Sequence, residues 1–326
     1  MRLAKLNDKI IGRKLEMPVF SSEGTTILSK DSFLTERIIT RLKQLGIRTV
    51  YIVDESYEDV VIQELLDTTF RLKTIKTLRQ IFDQVKKKKN LNPYEIKRMV
   101  SDISDNMSIS ENSIITFDNI GSNDTDICNH SLNIMILSIL VGIARGYNSL
   151  QLADLGVGAL LHDVGKLITD EKSHPEAGFQ FLRMYREFSA TSYICAYTHH
   201  ENVDGTGYPR KIKGDQIYDY AKIVSLCNEY DILQSSNSFL PHEVLERISA
   251  DVGKKFSEEH YKDFIKVIYC YPNGLPIKLS NGTEGVVVMQ NKNFPQRPVV
   301  KIKNAGTTNY VNLMESLNLF IEAVAF

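Results

Sequence analysis

Five of the seven histidines in this 326-residue chain fall between positions 130 and 200, and each stands at the end of a run with helical apolar periodicity. His130 follows Asp126 by four residues at the start of an apolar helix, so the two share one face. His162-Asp163 closes Ala159-Leu160-Leu161. His174-Pro175 opens a helix with proline at its first position, and His199-His200-Glu201 closes the segment Thr191–Tyr197. Neighbouring residues on a helix point about 100° apart, so His162 and Asp163 converge on one point only from a helix end or a distortion. A chain patterned this way is restricted to a helical arrangement whose ends meet.

The residue types suit metal binding. A neutral imidazole offers one nitrogen, whereas a carboxylate offers two oxygens and can bridge two cations. Lys166, three residues beyond Asp163, can meet a phosphate oxygen as a point charge. The loop Asn202–Arg210 sets tight turns with Gly205, Gly207 and Pro209, while Tyr208 and Arg210 can bracket a base and a phosphate. Taken singly, each element has an ordinary explanation: a surface Asp/His pair, or a core histidine beside an aspartate. Five histidines on successive helix ends are hard to reconcile with five independent core residues.

Composition excludes other classes. With 39 basic against 40 acidic side chains the chain lacks the positive excess of a polymeric nucleic-acid binder. The Lys86–Lys89 run has no interleaved aromatics and reads as a solvated helix end. Cys128, Cys195, Cys227 and Cys270 show no CxxC spacing and read as buried apolar residues in a reducing compartment. The N-terminus lacks a signal-peptide core, and the apolar run Leu132–Ala144 is short and interrupted by polar residues. The expectation is a soluble, cytoplasmic protein with no membrane association.

The fold class expected is mainly α, in four parts. Residues 1–56 read as a small α/β module: a hairpin from Pro18–Phe20 and Thr25–Leu28, a helix over Thr35–Leu45, and a strand over Val50–Val53. Residues 57–125 read as a helical linker broken at Asn92-Pro93, ending in a Ser/Asn/Asp-rich loop. Residues 126–268 form the helical metal domain. Residues 269–326 are β-rich, with strands at Ile277–Leu279, Gly285–Met289, Val299–Ile302 and Leu319–Phe326, and are expected to make a partly open barrel.

The set His130, His162-Asp163, His174, His199-His200-Glu201 and Asp204–Pro209 resembles the HD-GYP family, a branch of the HD metal-dependent phosphohydrolases, over about residues 126–250. The string HHExxDGxGYP is the most specific part of the match, and the terminal segments resemble, more weakly, the modules that often flank such domains. The resemblance implies a helical domain holding two or three divalent ions, iron or manganese, and hydrolysis of cyclic di-GMP to pGpG or GMP, or of a related cyclic dinucleotide. It implies His130, His162, Asp163, His174, His199 and His200 as metal ligands, with Asp163 bridging two ions together with a hydroxide. Asp126 stands where three-metal members place an acidic ligand. Lys166 corresponds to a lysine near the scissile phosphate, so Asp163 and Lys166 are the catalytic pair. Asp204, Gly205, Gly207, Tyr208, Pro209 and Arg210 form the loop that contacts substrate.

Three features depart from the family pattern. Asn228 stands where an aspartate ligand is usual, and an amide oxygen coordinates without charge. Asp231 lies one turn further along. The spacing between Asp163 and His174 is shorter than in most members, which implies a more open pocket, and Ser235–Leu240 contains neither Arg nor Lys. Two other readings therefore stand beside the phosphodiesterase: a catalytically weak cyclic-dinucleotide sensor or scaffold that keeps the metals, and a phosphohydrolase for another nucleotide. A homodimer through the linker helices and a signalling-protein partner are left open. His242 and His260 remain as ordinary surface or helix residues.

Overall fold

The structure, a computed structural model, describes residues 1–21, 25–58, 60, 63–108, 113–114, 126–169, 172–236, 238–304 and 307–325. The chain divides into two compact units: Met1–Leu72 with Ser108–Asn123 and Tyr269–Phe326, and Lys73–Met107 with Asp124–Ile268.

In the first unit, β1 (Arg2–Lys5) runs antiparallel to β4 (Thr49–Ile52). Between them lie the hairpin strands β2 (Val19–Phe20) and β3 (Thr26–Leu28) and helix α1 (Glu36–Gln44). The Thr35 hydroxyl caps α1 by accepting from the Ile38 amide, and Ile39 and Leu42 point into a core with Leu15, Leu34 and Ile52. Two short segments, β5 (Gln63–Glu64) and β6 (Ser113–Ile114), pair in parallel.

The C-terminal residues form β7 (Pro276–Leu279), β8 (Glu284–Met289), β9 (Val299–Asn304), β10 (Thr307–Asn312) and β11 (Ile321–Val324) in one antiparallel sheet ordered β10-β9-β8-β7-β11. Among the described residues its two edge strands do not pair, so the sheet expected as a partly open barrel is open between β10 and β11. β10 went unrecognised in the sequence because its TTNYVN run lacks an apolar alternation; cross-strand pairing with β9 makes it a strand. The Leu3 amide donates to the Gly274 carbonyl (2.8 Å), so the two ends of the chain share one unit.

The second unit is helical. It contains the greater part of α2 (Thr68–Lys88), α3 (Pro93–Asn106), α4 (Ile127–Ala144), α5 (Ser149–Leu160), α6 (His174–Leu182), α7 (Ala190–Thr198), α8 (Asp219–Ser235), α9 (Pro241–Ala250) and α10 (Glu258–Phe264). The stretch read as a linker thus divides, and residues 73–107 pack as part of this unit. Ile75, Leu78, Ile81, Phe82 and Val85 of α2 are buried, and Val100 of α3 sits where a Cβ on Gly156 of α5 would lie 2.7 Å away.

Helix α4 is apolar on every side because it is the centre of this unit, packed by α5, α8 and α10. It begins five residues before the apolar run read in the sequence and is long and apolar enough to cross a membrane by length and composition; here most of it is buried inside the protein. All four cysteines are buried and none forms a disulfide.

Candidate metal centre

Backbone approach brings the histidine-bearing ends together. Gly158 lets α7 close on α5, since a Cβ there would meet Cys195 Sγ at 2.7 Å and the Ser192 carbonyl at 2.8 Å. His162 and His199 leave the C-terminal ends of these two helices. A 3₁₀ turn, Val164–Leu167, follows Asp163, and its Gly165 lies so close to α6 that a Cβ would fall 1.9 Å from the His174 carbonyl. No other residue permits that contact, which seats the first residue of α6 beside Asp163. His130 arrives from the first turn of α4.

The result is two groups of donors sharing one carboxylate: Asp163, His174, His199 and His200, and His130, His162 and Asp163, with the ligand atoms of each group within 4.8 Å of one another. Asp163 Oδ1 lies 3.2 Å from His174 Nε2 and 3.4 Å from His199 Nε2. Its Oδ2 lies 3.5 Å from His162 Nε2 and 3.6 Å from His130 Nε2. The pairs His174/His199 and His130/His162 bring Nε2 atoms to 3.3 Å, and His200/His174 to 3.2 Å.

The outer partners decide what those nitrogens are. His162 Nδ1 donates to the Ala159 carbonyl (2.8 Å) and His199 Nδ1 to the Cys195 carbonyl (2.9 Å); a carbonyl only accepts, so the proton is on Nδ1. His130 Nδ1 donates to Asp231 Oδ2 (2.7 Å), whose Oδ1 accepts from Asn133 Nδ2 (2.7 Å). Burial, reinforced by neighbouring imidazoles, lowers the ring pKa of His162 to about 3 and of His200 to about 2, so both are neutral. With Nδ1 protonated, His130, His162 and His199 turn Nε2 lone pairs toward the Asp163 carboxylate, whose buried Oδ1 accepts no hydrogen bond. A divalent ion in each group would offset the repulsion between those lone pairs and the carboxylate. Nitrogen-and-oxygen donors without thiolate suit a divalent transition-metal ion.

Two site residues expected from the sequence are placed elsewhere or neutrally. Asp126 is the N-cap of α4: its Oδ1 accepts from the Cys128 amide (3.1 Å), and its Oδ2 from Arg79 (2.6 Å) and Asn129 (2.9 Å), so its carboxylate joins neither group. Arg79 on α2 was not singled out in the sequence because nothing local marks it as a partner. Asn228 is buried on α8, three residues before Asp231 and so toward the same face. Lys166 Nζ lies 2.7 Å from Asp163 Oδ2.

The loop after His200 is built by its own polar groups. Asp204 Oδ1 accepts from the Thr206 amide (2.9 Å) and hydroxyl (2.6 Å), and Gly205 has φ +85°, a left-handed position that favours glycine. Gly207 has no room for a side chain, since a Cβ would lie 2.3 Å from the Asn202 amide nitrogen. The Tyr208-Pro209 bond is cis, and the exposed Tyr208 ring stacks on His200 at 4.6 Å. Buried Glu201 accepts the Arg210 amide on Oε1 (2.6 Å), while its Oε2 has no partner. Arg210 is exposed and lies over the Tyr197 ring. Beyond α8, Phe239 is covered by Arg247 at 3.8 Å.

Outside this centre, His260 is not an ordinary surface residue. It is buried on α10, with Nδ1 on Ser257 Oγ (2.9 Å) and Nε2 3.4 Å from Asp219, in a network where Arg145 meets Asp219, Glu259 and Asp263.

A helical unit with paired His/Asp donor groups defines a class, and residues 127–233 of this unit match the family model for the HD domain. Among curated relatives it is 27% identical over 230 residues to the cyclic di-GMP phosphodiesterase PA4108 of Pseudomonas aeruginosa, covering 63% of this chain and 54% of that protein. It is 25% identical over 197 residues to the cyclic di-GMP phosphodiesterase PdeB of Borreliella burgdorferi, covering 54% of this chain and 52% of that one. The chain thus spans about half the length of these curated relatives. Among solved structures, Bd1817, a HDG"Y"P protein from Bdellovibrio bacteriovorus, superposes with a TM-score of 0.51 over 80% of this chain and 98% of that one; at 17% identity the likeness is one of fold.

Proposed function

We propose that the chain is a metal-dependent phosphodiesterase that hydrolyses cyclic di-GMP to pGpG or GMP. The observation that carries this reading is the single carboxylate, Asp163, presenting one oxygen to each of two imidazole groups. His174, His199, His200 and Asp163 Oδ1 would hold one ion, and His130, His162 and Asp163 Oδ2 the other. Two bound divalent ions supply Lewis-acid polarisation of a phosphodiester and a hydroxide nucleophile at neutral pH.

The chain's own residues prepare the site for that chemistry. The Nδ1 contacts of His130, His162 and His199 hold three rings in one tautomer and orientation, so little reorganisation accompanies loading. Glu201 holds the loop through the Arg210 amide and so keeps Tyr208 against His200. In that position Tyr208 stands beside the centre and Arg210 follows two residues on over Tyr197, and an aromatic ring and a guanidinium suit a nucleobase and a phosphate. The relatives named as cyclic di-GMP phosphodiesterases support this substrate class.

The test is to load the protein with reduced iron or with manganese and follow cyclic di-GMP to pGpG and GMP by chromatography. Turnover supports the proposal. Binding without turnover under both metals would overturn it and make the chain a sensor. The variant carrying both His162→Ala and Asp163→Ala should lose bound metal, and metal content at the wild-type level would refute the ligand assignment.

A further inference from the structure

The two donor groups are not equivalent. The Oδ1 group has three imidazoles and a carboxylate oxygen that accepts no hydrogen bond. The Oδ2 group has two imidazoles, and its oxygen already carries the Lys166 ammonium at 2.7 Å. Lys166 is also the nearest of the three groups: the two imidazole nitrogens stand 3.5 and 3.6 Å from the same oxygen. Its side chain is 32% exposed, so the ammonium can leave toward solvent, whereas Asp163 is 2% exposed and fixed. Asn228, on the face of α8 that carries the His130 partner Asp231, brings no charge to offset a second cation.

We infer that Lys166 stands in for the second cation: the ion of the Oδ1 group binds first and tightly, and the second binds only as Lys166 is displaced from Asp163 Oδ2. The inference rests on the two-ion reading of the centre. It assigns Lys166 two successive positions, on Asp163 when one ion is bound and released toward the substrate phosphate when both are. Loading of the second ion and presentation of that ammonium are then one event, which makes Lys166 a positioning residue for metal as well as a contact for substrate.

The probe is Mn²⁺ alone, titrated into the chelator-stripped full chain, with free ion measured by electron paramagnetic resonance. Two classes of site are expected, the second weaker by about tenfold or more, with the spin-coupled signal of a shared carboxylate appearing only as the second fills. Lys166→Met should tighten the second class by about ten- to a hundredfold, the range that a charge-assisted hydrogen bond carries, and leave the first unchanged. Lys166→Arg, which keeps the charge, should retain the separation. His200→Ala removes a donor from the Oδ1 group only and should weaken the first class. Equal affinities in the wild type overturn the inference even if no variant folds, as does a Lys166→Met second class that is unchanged or weaker. Failure to bind any Mn²⁺ overturns the two-ion reading itself.

Discussion

Asp231 offers a perturbation whose size follows from its contacts. It is 3% exposed on α8, and its two oxygens accept from His130 Nδ1 and Asn133 Nδ2, both on α4 and both at 2.7 Å. Asp231→Ala removes an acceptor from each of two donors in a mostly buried place. At about 1–3 kcal/mol for each such group, with His130 partly reached by solvent, the loss is about 3 kcal/mol. For a helical unit of about 180 residues this lowers the melting temperature by about 6–12 °C. Asp231→Asn is the sharper variant. Its carbonyl oxygen can still accept from His130, and a flipped Asn133 can accept from its amide, so geometry survives and only charge is lost. Its stability should fall by about 1 kcal/mol, the difference between charge-assisted and neutral hydrogen bonds. Its affinity for the ion of the His130 group should fall about tenfold, the lower end for loss of a partner behind a metal-ligating histidine. Calorimetry in chelator reads the first quantity, and Mn²⁺ titration reads the second. An Asp231→Ala protein that melts with the wild type in chelator, or an Asp231→Asn protein with wild-type affinity, would refute the role given to this carboxylate.

Further outcomes follow from other residues. Asn228→Asp should raise metal occupancy by adding charge beside the His130 group; unchanged metal content by elemental analysis would put residue 228 outside the coordination sphere. His260 is held neutral by burial, by Arg145 and by Lys222, which together lower its pKa to about 4 against the opposing Asp219 and Glu259. The unfolded chain binds this proton below about pH 6.5 and the folded chain only near 4, so stability is lost as pH falls through that window, by about 1.4 kcal/mol per unit. Urea unfolding should show this slope in the wild type and lose it in His260→Gln; parallel pH profiles would refute it. Gly165→Ala should fail to assemble the centre, because its Cβ meets the His174 carbonyl; wild-type metal content and melting in this variant would contradict the close approach of the two backbones.

Much of the centre was legible because its residues mark their own positions. Histidines at the ends of apolar periods are visible at a glance, and His130, His162, Asp163, His174, His199 and His200 stand together in the structure. The residues that orient them were not legible in the same way. Asp231 reads as one acid in a helix until α8 packs on α4 and sets it against His130, 101 positions away in the chain. Asp126 shows the converse. Its four-residue spacing from His130 suggests a shared ligand face, yet the N-cap position and Arg79, 47 residues earlier, turn its carboxylate to another task. Gly158 and Gly165 look like ordinary glycines, and only the contact of α5 with α7 and of the 3₁₀ turn with α6 shows why no side chain fits.

The same division runs through the whole molecule. Periodicity, caps and turn residues are local, so the sequence by itself determined the helices, most strands and the identity of the donor atoms. Which backbones touch, and therefore which ring nitrogen is protonated, which carboxylate is shared and which is capped, depends on contacts between residues far apart in the chain. Tertiary structure decided those, and with them the inequality of the two donor groups. Lys166 lies three residues from Asp163 in any helical turn, but its meaning came from the five imidazoles that folding placed around the same carboxylate.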